Sequence, residues 1–405
     1  MFASPVVRWA EKHVELVIFL AGLAAFCAAS GDRLLRQSQG PHFVYQADAF
    51  LHGRLDVRKP PNNNDWILYR GKYYVCFPPV PAILMLPFVA IFGIGFNDVL
   101  FTIPFAALNV VLMFRILQML SAMGHSPLGR TENLWLTALF GFGTVHYSAA
   151  VIGEVWFTAH IVGLTFTMGY LLCATRVRRP FLAGVFLALA FDTRTNLAFT
   201  VVYFAWQLFA RLKLKDGQSI LHMLRDGFVF ALPILVVASV QMWMNHARFG
   251  NPFEFGHSYI GGPAGKRIAK HGLFSYHYLW WNLSTMLCGL PKILDRWPYI
   301  AYDPNGMSIF ITTPVLLYLF WPRQKPSLYG PLWISAAAGI LPALFYQNSG
   351  YVQFGYRFSL DVMPYLMMIL ACGAIEMTRA KKILVIVSIA INLVGAISFK
   401  RAGPV

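Results

Sequence analysis

Residues 42–56 read HFVYQADAFLHGRLD and lie within a long polar segment, from Asp32 to Asn97, that separates the first two hydrophobic spans. The segment is rich in aromatic residues and proline. Its carboxylates are those of Asp32, Asp48, Asp56 and Asp65. A protein that only has to remain in lipid needs short loops between its helices. A long loop with acidic, basic and imidazole side chains therefore indicates chemistry at one face of a membrane.

The composition is that of an integral membrane protein. The chain is 57% hydrophobic and 12% charged, whereas soluble domains contain about 25% charged residues. Apolar runs of about 20 residues recur along it, which is enough to cross a hydrocarbon core of about 30 Å as helix. The formal net charge of +16 indicates basic loops beside anionic lipid headgroups. The sequence shows no nucleic-acid-binding motif, so we expect no nucleic-acid partner.

We predict an all-α polytopic membrane protein of about eleven spans. The whole chain, 1–405, forms one integral membrane domain in this interpretation. It has two long loops that contain juxtamembrane helices, a first loop at 31–98 and a second loop at 245–304. The predicted spans are 14–30, 99–120, 133–151, 155–175, 180–193, 196–210, 227–246, 305–321, 330–346, 361–378 and 382–398.

The basic residues of the short loops predict the orientation. With a cytoplasmic N-terminus, Arg8, the cluster 176–179 and the basic residues that follow later spans all fall on the cytoplasmic side. Both long loops then lie on the outer side. Lys400 and Arg401 fit this arrangement poorly. An odd number of spans places them on the outer side, whereas the rule expects basic residues near the ends of spans on the cytoplasmic side. The first span is longer than the apolar part of a cleavable signal, so we expect it to be retained, although Ala28-Ala29-Ser30 resembles a cleavage site.

Residues 78–93 read PPVPAILMLPFVAIFG and could be mistaken for a further span. The segment is short and contains four prolines, and counting it would place the basic cluster 176–179 outside. We predict a helix that lies on or dips into the outer leaflet. Residues 273–281 of the second loop are amphipathic and aromatic, which suits the same interfacial position.

The segment 42–56 contains the first candidate site. As a helix ended by Gly53, it places Asp48 and His52 at i and i+4, on one face with Tyr45. A carboxylate beside an imidazole can remove a proton from an acceptor hydroxyl. The alternative is an interfacial helix whose charges simply face water.

Glu154 is an isolated carboxylate at the predicted outer end of the span 155–175. It is predicted either as a solvated acid favoured by the helix dipole or as a second acidic group of an outer-face site. His160 lies about two turns deeper, where ionisable groups are costly and often functional. A neutral histidine bonded to a neighbouring helix is the equally supported alternative.

Two arginines are candidates for binding an anion. Arg194 lies between two short spans and could instead pair with Asp192. Arg357 lies where the chain re-enters the membrane, where a guanidinium can bind a lipid phosphate with two donors. Its alternative is a salt bridge to Asp361. The second loop adds basic candidates among aromatic residues, namely Lys266, Arg267 and Lys270.

Neither a metal site nor a nucleotide site is indicated by motif. The sequence has no HExxH, CxxC or GxxxxGK[ST] pattern, so no cofactor is predicted. A divalent metal remains an alternative if Asp48, His52, Glu154 and a loop histidine converge. Cys76 and Cys288 both fall in the outer loops, so a disulfide between them is topologically allowed.

Several segments together resemble the GT-C superfamily of polytopic glycosyltransferases, which includes the protein O-mannosyltransferases and the lipid A aminoarabinose transferases. They are residues 43–56, Gly71-Lys72-Tyr73-Tyr74 with Phe77-Pro78-Pro79, 190–196, 251–259 and 350–364. The resemblance covers most of the chain through its order of spans and long outer loops. It implies a polyprenyl-phosphate-linked sugar donor and an acidic base in the first loop.

The chain departs from the family where an acidic residue usually precedes the first-loop helix, because Gly40-Pro41-His42 stands there. The role of base then falls to Asp48, with Asp56 or Asp32 in reserve. Glu154 lies where several members have a second acidic residue, and we expect Glu154, His42 and Asp56 on the acceptor side. Arg357, Arg194 and the basic residues of the second loop are expected to bind the donor phosphate. Tyr45, Tyr74 and Tyr356 are the expected aromatic donor contacts.

The expected function is inverting transfer of a sugar to an acceptor hydroxyl at the periplasmic face of a bacterial inner membrane. The acceptor is a lipid, a glycan or a protein. One alternative is a transporter or flippase for a polyprenyl-linked sugar, although the inverted repeats of many such folds are not visible here. A protein of GT-C shape without catalysis is the other alternative.

Overall fold

The structure is a computed structural model that describes residues 12–213, 220–295 and 299–401. About 70% of it is helical, as the apolar sequence predicts. The α-helices are Val14–Ser30, His42–Leu51, Val80–Phe92, Asp98–Ala122, Arg130–Phe142, His146–Ala150, Val155–Ala174, Pro180–Phe191, Val202–Lys213, Ile220–Phe249, Gly262–His271, Leu279–Cys288, Ile309–Thr312, Tyr329–Phe345, Met363–Cys372 and Arg379–Ser398.

Short 3₁₀ segments extend or join several of these helices. They are Gly31–Leu35, Gly93–Gly95, Thr175–Val177, Thr195–Val201, His257–Tyr259, Tyr276–Tyr278, Pro314–Phe320 and Arg357–Val362. Two small antiparallel hairpins lie in the loops, Trp66–Tyr69 with Lys72–Val75 and Lys292–Ile293 with Ile300–Ala301.

In the described ranges, five helices are long and apolar enough to cross a membrane. They are Val14–Leu35, Asp98–Ala122, Val155–Val177, Ile220–Phe249 and Arg379–Ser398. Other predicted spans are shorter or broken. The predicted span 133–151 divides at Gly143 into two helices, and the predicted span 305–321 divides at Thr313. The count of eleven stays a prediction.

The helices differ in how much lipid they can contact. Val155–Ala174 and Met363–Cys372 are buried along almost their whole length. Val14–Ser30, Ile220–Phe249 and Arg379–Ser398 expose apolar side chains on their outer faces. An exposed apolar face on a long helix suits contact with lipid chains. The buried pair therefore forms the interior of the bundle.

Small residues allow two of the helices to pack closely. A Cβ atom at Gly184 would lie 2.0 Å from the carbonyl oxygen of Phe230. Only glycine can occupy this position, because any side chain would force Pro180–Phe191 away from Ile220–Phe249. Close approach at small residues is a common way for membrane helices to associate.

The first loop folds as two helices and a hairpin. His42–Leu51 packs against Val80–Phe92. The hairpin turns at Arg70 and Gly71, which both have positive φ, as a two-residue type I′ turn requires. Val80–Phe92 has 13 residues and reaches only about 20 Å. Residues 78–93 are thus mainly helical, as predicted, and their position in the bilayer stays a prediction.

The two long loops and the end of the last helix meet at one end of the bundle. Arg248 Nη1 donates a hydrogen bond of 2.8 Å to the carbonyl oxygen of Val75, which joins the base of the second loop to the first loop. Arg401 Nε lies 3.1 Å from Asp32 Oδ1, at the end of the first helix. Lys400 and Arg401 therefore lie on the same face as the long loops, and their poor fit to the charge rule follows from ion pairing there.

Candidate functional site

Asp361 is the acceptor of a buried hydrogen-bond cluster between three segments. Arg194 donates to both carboxylate oxygens, from Nε at 2.7 Å and from Nη2 at 2.8 Å. Asn196 Nδ2 donates at 2.8 Å, and His160 Nδ1 lies 2.9 Å from Oδ1. A bidentate arginine pair of this kind fixes both orientation and charge. We call these four residues the Asp361 cluster.

The Asp361 cluster corrects two alternatives from the sequence. Arg194 pairs with Asp361 and not with its neighbour Asp192. The salt bridge between Arg357 and Asp361 does not form, because Arg194 occupies the carboxylate. His160 is bonded to a neighbouring helical segment, which is one of its two predicted alternatives. A role for Arg194 in donor binding stays a prediction.

Arg357 is more deeply buried than Arg194, and its surroundings differ. Its side chain lies among aromatic rings, with Cζ 5.1 Å from the centroid of Phe157 and 5.5 Å from that of Phe358. Nη1 donates to the carbonyl oxygen of Val352 at 3.3 Å, and Nε has no hydrogen-bond partner in the described ranges. Within those ranges it forms no ion pair with a carboxylate. Its guanidinium is therefore available to an anion that enters from outside.

Burial and the charge of Arg194 lower the pKa of Arg357 to about 10, while Glu154 and Asp65 act in the opposite direction. The guanidinium consequently remains charged at neutral pH. A buried charge without a paired counter-ion is costly, so a bound anion would remove a penalty that the protein otherwise bears.

Glu154 begins the helix Val155–Ala174 and is only 3% exposed. Its carboxylate pairs with the ammonium group of Lys400 and caps no backbone N–H of the helix. Lys400 Nζ also lies 5.6 Å from the ring of Trp156 and 5.7 Å from that of Phe157. The interpretation of Glu154 as a solvated acid is wrong, because the last helix and its following turn bury it.

Glu154 also fills the space beside Gly40. A Cβ atom at Gly40 would lie 2.9 Å from the ring of Trp156 and 3.2 Å from Glu154 Cβ. The backbone N–H of Val155 donates to the carbonyl oxygen of Gly40 at 2.9 Å. Where the sequence lacks an acidic residue before the first-loop helix, the structure thus brings in a carboxylate from a distant segment.

The predicted pair of Asp48 and His52 does form at the end of the first-loop helix. The helix ends at Leu51, and Gly53 follows with a φ of 64°. His52 Nδ1 lies 3.5 Å from Asp48 Oδ1, and Arg54 Nη2 lies 3.5 Å from Asp48 Oδ2. Asp48 therefore already has a cationic partner, and its catalytic role stays a prediction.

The remaining first-loop carboxylates differ in their partners. Asp56 lies 3.5 Å from Lys72 Nζ, and Asp32 pairs with Arg36 and Arg401. Asp65 has no cationic partner in the part of the chain that the structure describes. Its Oδ2 accepts a hydrogen bond of 3.1 Å from Trp156 Nε1.

His42 is fully buried and serves to pack the first loop. Its ring stacks on Trp66 with centroids 4.0 Å apart, and Nε2 lies 2.8 Å from the carbonyl oxygen of Asn64. Burial lowers the pKa of His42. A neutral, packed imidazole holds the turn before Trp66 against the start of the first-loop helix.

The other predicted residues lie around this end of the bundle. Lys266 and Lys270 are exposed on the helix Gly262–His271, and Arg267 Nη2 donates to Gln347 Oε1 at 2.9 Å. The three predicted tyrosines are partly or fully buried: Tyr45 against Trp66, Tyr74 against Phe249, and Tyr356 beside Phe358. None of these contacts assigns a ligand, so their roles stay predictions.

The predicted convergence of metal ligands does not occur. Within the described ranges, no group of three or more His, Cys, Asp or Glu side chains could hold a metal ion. Glu154 pairs with Lys400, whereas Asp48 pairs with His52 and Arg54. Cys76 and Cys288 are free thiols, the first buried and the second exposed, so they form no disulfide.

Sequence reasoning missed four residues of the site. Asp65 was counted among the first-loop carboxylates without a role, and Trp156, Phe157 and Lys400 had none. The one available signal was the poor fit of Lys400 and Arg401 to the orientation rule. We use the term Arg357 site for Arg357, Glu154, Lys400, Asp65 and the aromatic rings of Trp156 and Phe157 that connect them.

Comparison with known proteins identifies the fold. No protein-family model and no curated protein sequence matches the chain. Among solved structures it is similar to ArnT from Cupriavidus metallidurans, crystallised with undecaprenyl phosphate, at 13% identity and a TM-score of 0.51. The similarity covers 96% of this chain and 64% of that protein, so the chain spans less than two thirds of ArnT. The chain therefore shares the all-α polytopic fold of ArnT.

Proposed function

We propose that the protein is a GT-C-type glycosyltransferase that takes its sugar from a polyprenyl-phosphate donor. The observation that carries this proposal is Arg357, a buried guanidinium without a carboxylate partner in the described ranges. The similar fold of ArnT, which was solved with undecaprenyl phosphate, supports a lipid phosphate as the anion that Arg357 binds. An arginine can bind two phosphate oxygens at once.

Lys400 provides a second cation for the same anion. Its ammonium group lies against Phe157, the ring that Arg357 also contacts. In the absence of a ligand it pairs with Glu154. Two cations in a partly dehydrated site would stabilise the negative charge that develops on the phosphate as the sugar leaves.

The proposed reaction is a single displacement. A first-loop carboxylate accepts the proton of the acceptor hydroxyl, and the oxygen attacks the anomeric carbon with inversion. The bond between that carbon and the phosphate oxygen breaks, and its electron pair stays on the phosphate, which leaves as polyprenyl phosphate. Asp48, oriented by His52, is the base that the sequence predicts.

The proposed location is the periplasmic face of a bacterial inner membrane. The Arg357 site lies at the end of the bundle where both long loops meet, and the short basic loops predict that this end faces away from the cytoplasm. The acceptor is a lipid, a glycan or a protein that reaches this face.

The test uses the full chain in nanodiscs with short-chain polyprenyl-phosphate sugars, with and without membrane extract as acceptor. Released polyprenyl phosphate is the readout. We expect one donor to react only when extract is present. Arg357→Gln should weaken binding of short-chain polyprenyl phosphate by about 10- to 100-fold, which corresponds to about 1.4–2.8 kcal/mol.

Arg211→Gln is the matched control, because Arg211 is a partly buried arginine already paired with Asp226. It should bind the lipid phosphate within about threefold of the wild type. If no donor reacts but one moves between leaflets, the protein is a transporter. Binding without reaction or transport would leave a non-catalytic protein of the same fold.

A further inference from the structure

Asp65 differs from Asp32, Asp48 and Asp56 because it has no cationic partner in the described ranges. Asp32 pairs with Arg36, Asp48 with Arg54, and Asp56 with Lys72. In the described ranges the Asp65 carboxylate forms no ion pair, and the residue is exposed. A carboxylate that no cation holds is a better proton acceptor than one already in a salt bridge.

The turn that carries Asp65 is fixed by hydrogen bonds on both sides. Asn62 Nδ2 donates to the carbonyl oxygen of Gln39 at 2.8 Å, and Asn62 Oδ1 accepts from the backbone N–H of Asn64 at 2.9 Å. Trp66 Nε1 donates to the same Oδ1 at 3.1 Å. The turn is thus held to the segment before the first-loop helix.

The backbone of Asp65 itself is unusual. Its φ of 55° lies in the left-handed region, which is uncommon for residues other than glycine and is enriched in Asp and Asn. Such conformations often occur at functional sites, where surrounding contacts hold them. The hydrogen bond from Trp156 Nε1 orients the side chain as well as the turn.

Asp65 also faces the cationic side of the site. Its hydrogen-bond partner Trp156 lies in contact with Lys400, and Trp156 and Phe157 are adjacent at the start of the same helix, with Arg357 over the second ring. The charge of Asp65 acts on Arg357 and on Tyr346. The carboxylate of Asp65 and the guanidinium of Arg357, neither of which forms an ion pair in the described ranges, therefore interact electrostatically beside the rings of Trp156 and Phe157.

We infer that Asp65, and not Asp48, is the base that accepts the proton of the acceptor hydroxyl. This inference rests on the proposed function and names the residue that performs its proton transfer. The acceptor oxygen would lie between Asp65 and the anomeric carbon of a donor whose phosphate is bound by Arg357. Asp48 would then be a partly buried carboxylate paired with Arg54 at the other end of the first-loop helix.

The experiment compares Asp65→Asn with Asp48→Asn in the full chain, under the nanodisc assay with the reacting donor. Asparagine tolerates positive φ, and its carbonyl oxygen can still accept from Trp156, so the turn should keep its structure. We expect Asp65→Asn to lower the maximal transfer rate by about 100-fold or more. Asp48→Asn, at the base that the sequence predicts, should lower the rate less than Asp65→Asn does.

Binding and pH dependence separate a base from a structural residue. Asp65→Asn should bind short-chain polyprenyl phosphate within about threefold of the wild type. Its residual activity should lose the acid limb of the pH profile, which Asp48→Asn should retain.

Each other outcome overturns the inference. Transfer by Asp65→Asn within about threefold of wild type would exclude it as the base and leave the transferase intact. A parallel loss of phosphate binding would make Asp65 a structural residue. A wild-type protein that releases polyprenyl phosphate from no donor would refute the proposed function, and the assignment of Asp65 with it.

Discussion

The Asp361 cluster contains a partly buried arginine and the Arg357 site a fully buried one, and the two differ in charge balance. In the Asp361 cluster, Arg194 meets a carboxylate that accepts four hydrogen bonds. In the Arg357 site, the guanidinium has aromatic neighbours and one carbonyl oxygen. Burial alone therefore does not identify a binding residue. The difference lies in whether the protein supplies the counter-ion or leaves it to a ligand.

The largest effect, a loss of stability, should come from removing the carboxylate charge of the Asp361 cluster. Asp361→Asn would leave Arg194 buried without its carboxylate, and we expect a loss of about 3–5 kcal/mol of stability, the usual cost of breaking a buried ion pair. Thermal unfolding in detergent micelles measures it. The double variant Arg194→Met with Asp361→Leu should be more stable than Asp361→Asn, because it removes both charges. Equal stability of Asp361→Asn and wild type would show that the cluster does not hold the helices together.

A smaller effect, on the binding of lipid phosphate, is expected at Lys400, whose ammonium group is partly exposed. Lys400→Met should weaken binding of short-chain polyprenyl phosphate by about 3- to 10-fold, less than Arg357→Gln, because the Lys400 side chain is 31% exposed and solvent screens it. The matched control is Arg401→Met, which removes the next cation along the chain. Equal losses in both variants would mean that Lys400 acts only through net charge.

The smallest effect concerns the packed imidazole of the first loop. Because burial lowers the pKa of His42 in the folded state, the unfolded state takes up a proton first as pH falls. The stability from its neutral form is fully present above the unfolded pKa of about 6.5 and declines below it. Between pH 7.5 and 5, His42→Phe should therefore lose less thermal stability than the wild type. If the wild type and His42→Phe lose thermal stability in parallel as pH falls, His42 does not contribute to the pH dependence.

The sequence by itself determined the class of protein and the local structure of the first loop. Apolar runs and scarce charges require a lipid environment, and the fold shared with ArnT agrees with that class. Gly53 ends the first-loop helix, and the i and i+4 spacing brings His52 to Asp48. These features depend on residues close together in the chain, so periodicity and turn chemistry are sufficient to predict them.

Only the tertiary structure decided which charges meet. Arg194 and Asp361 are 167 positions apart, Trp156 and Asp65 are 91 apart, and Lys400 and Glu154 are 246 apart. The local sequence pattern suggested that Arg194 pairs with Asp192 and that Arg357 pairs with Asp361. Both of these alternatives are wrong, because Arg194 pairs with Asp361. The hydrophobic pattern predicts that a helix is buried, but it does not predict which helix it packs against. Helix packing assigned the nearby charges to other partners. In the part of the chain that the structure describes, it therefore left the Arg357 guanidinium and the Asp65 carboxylate without an ion pair.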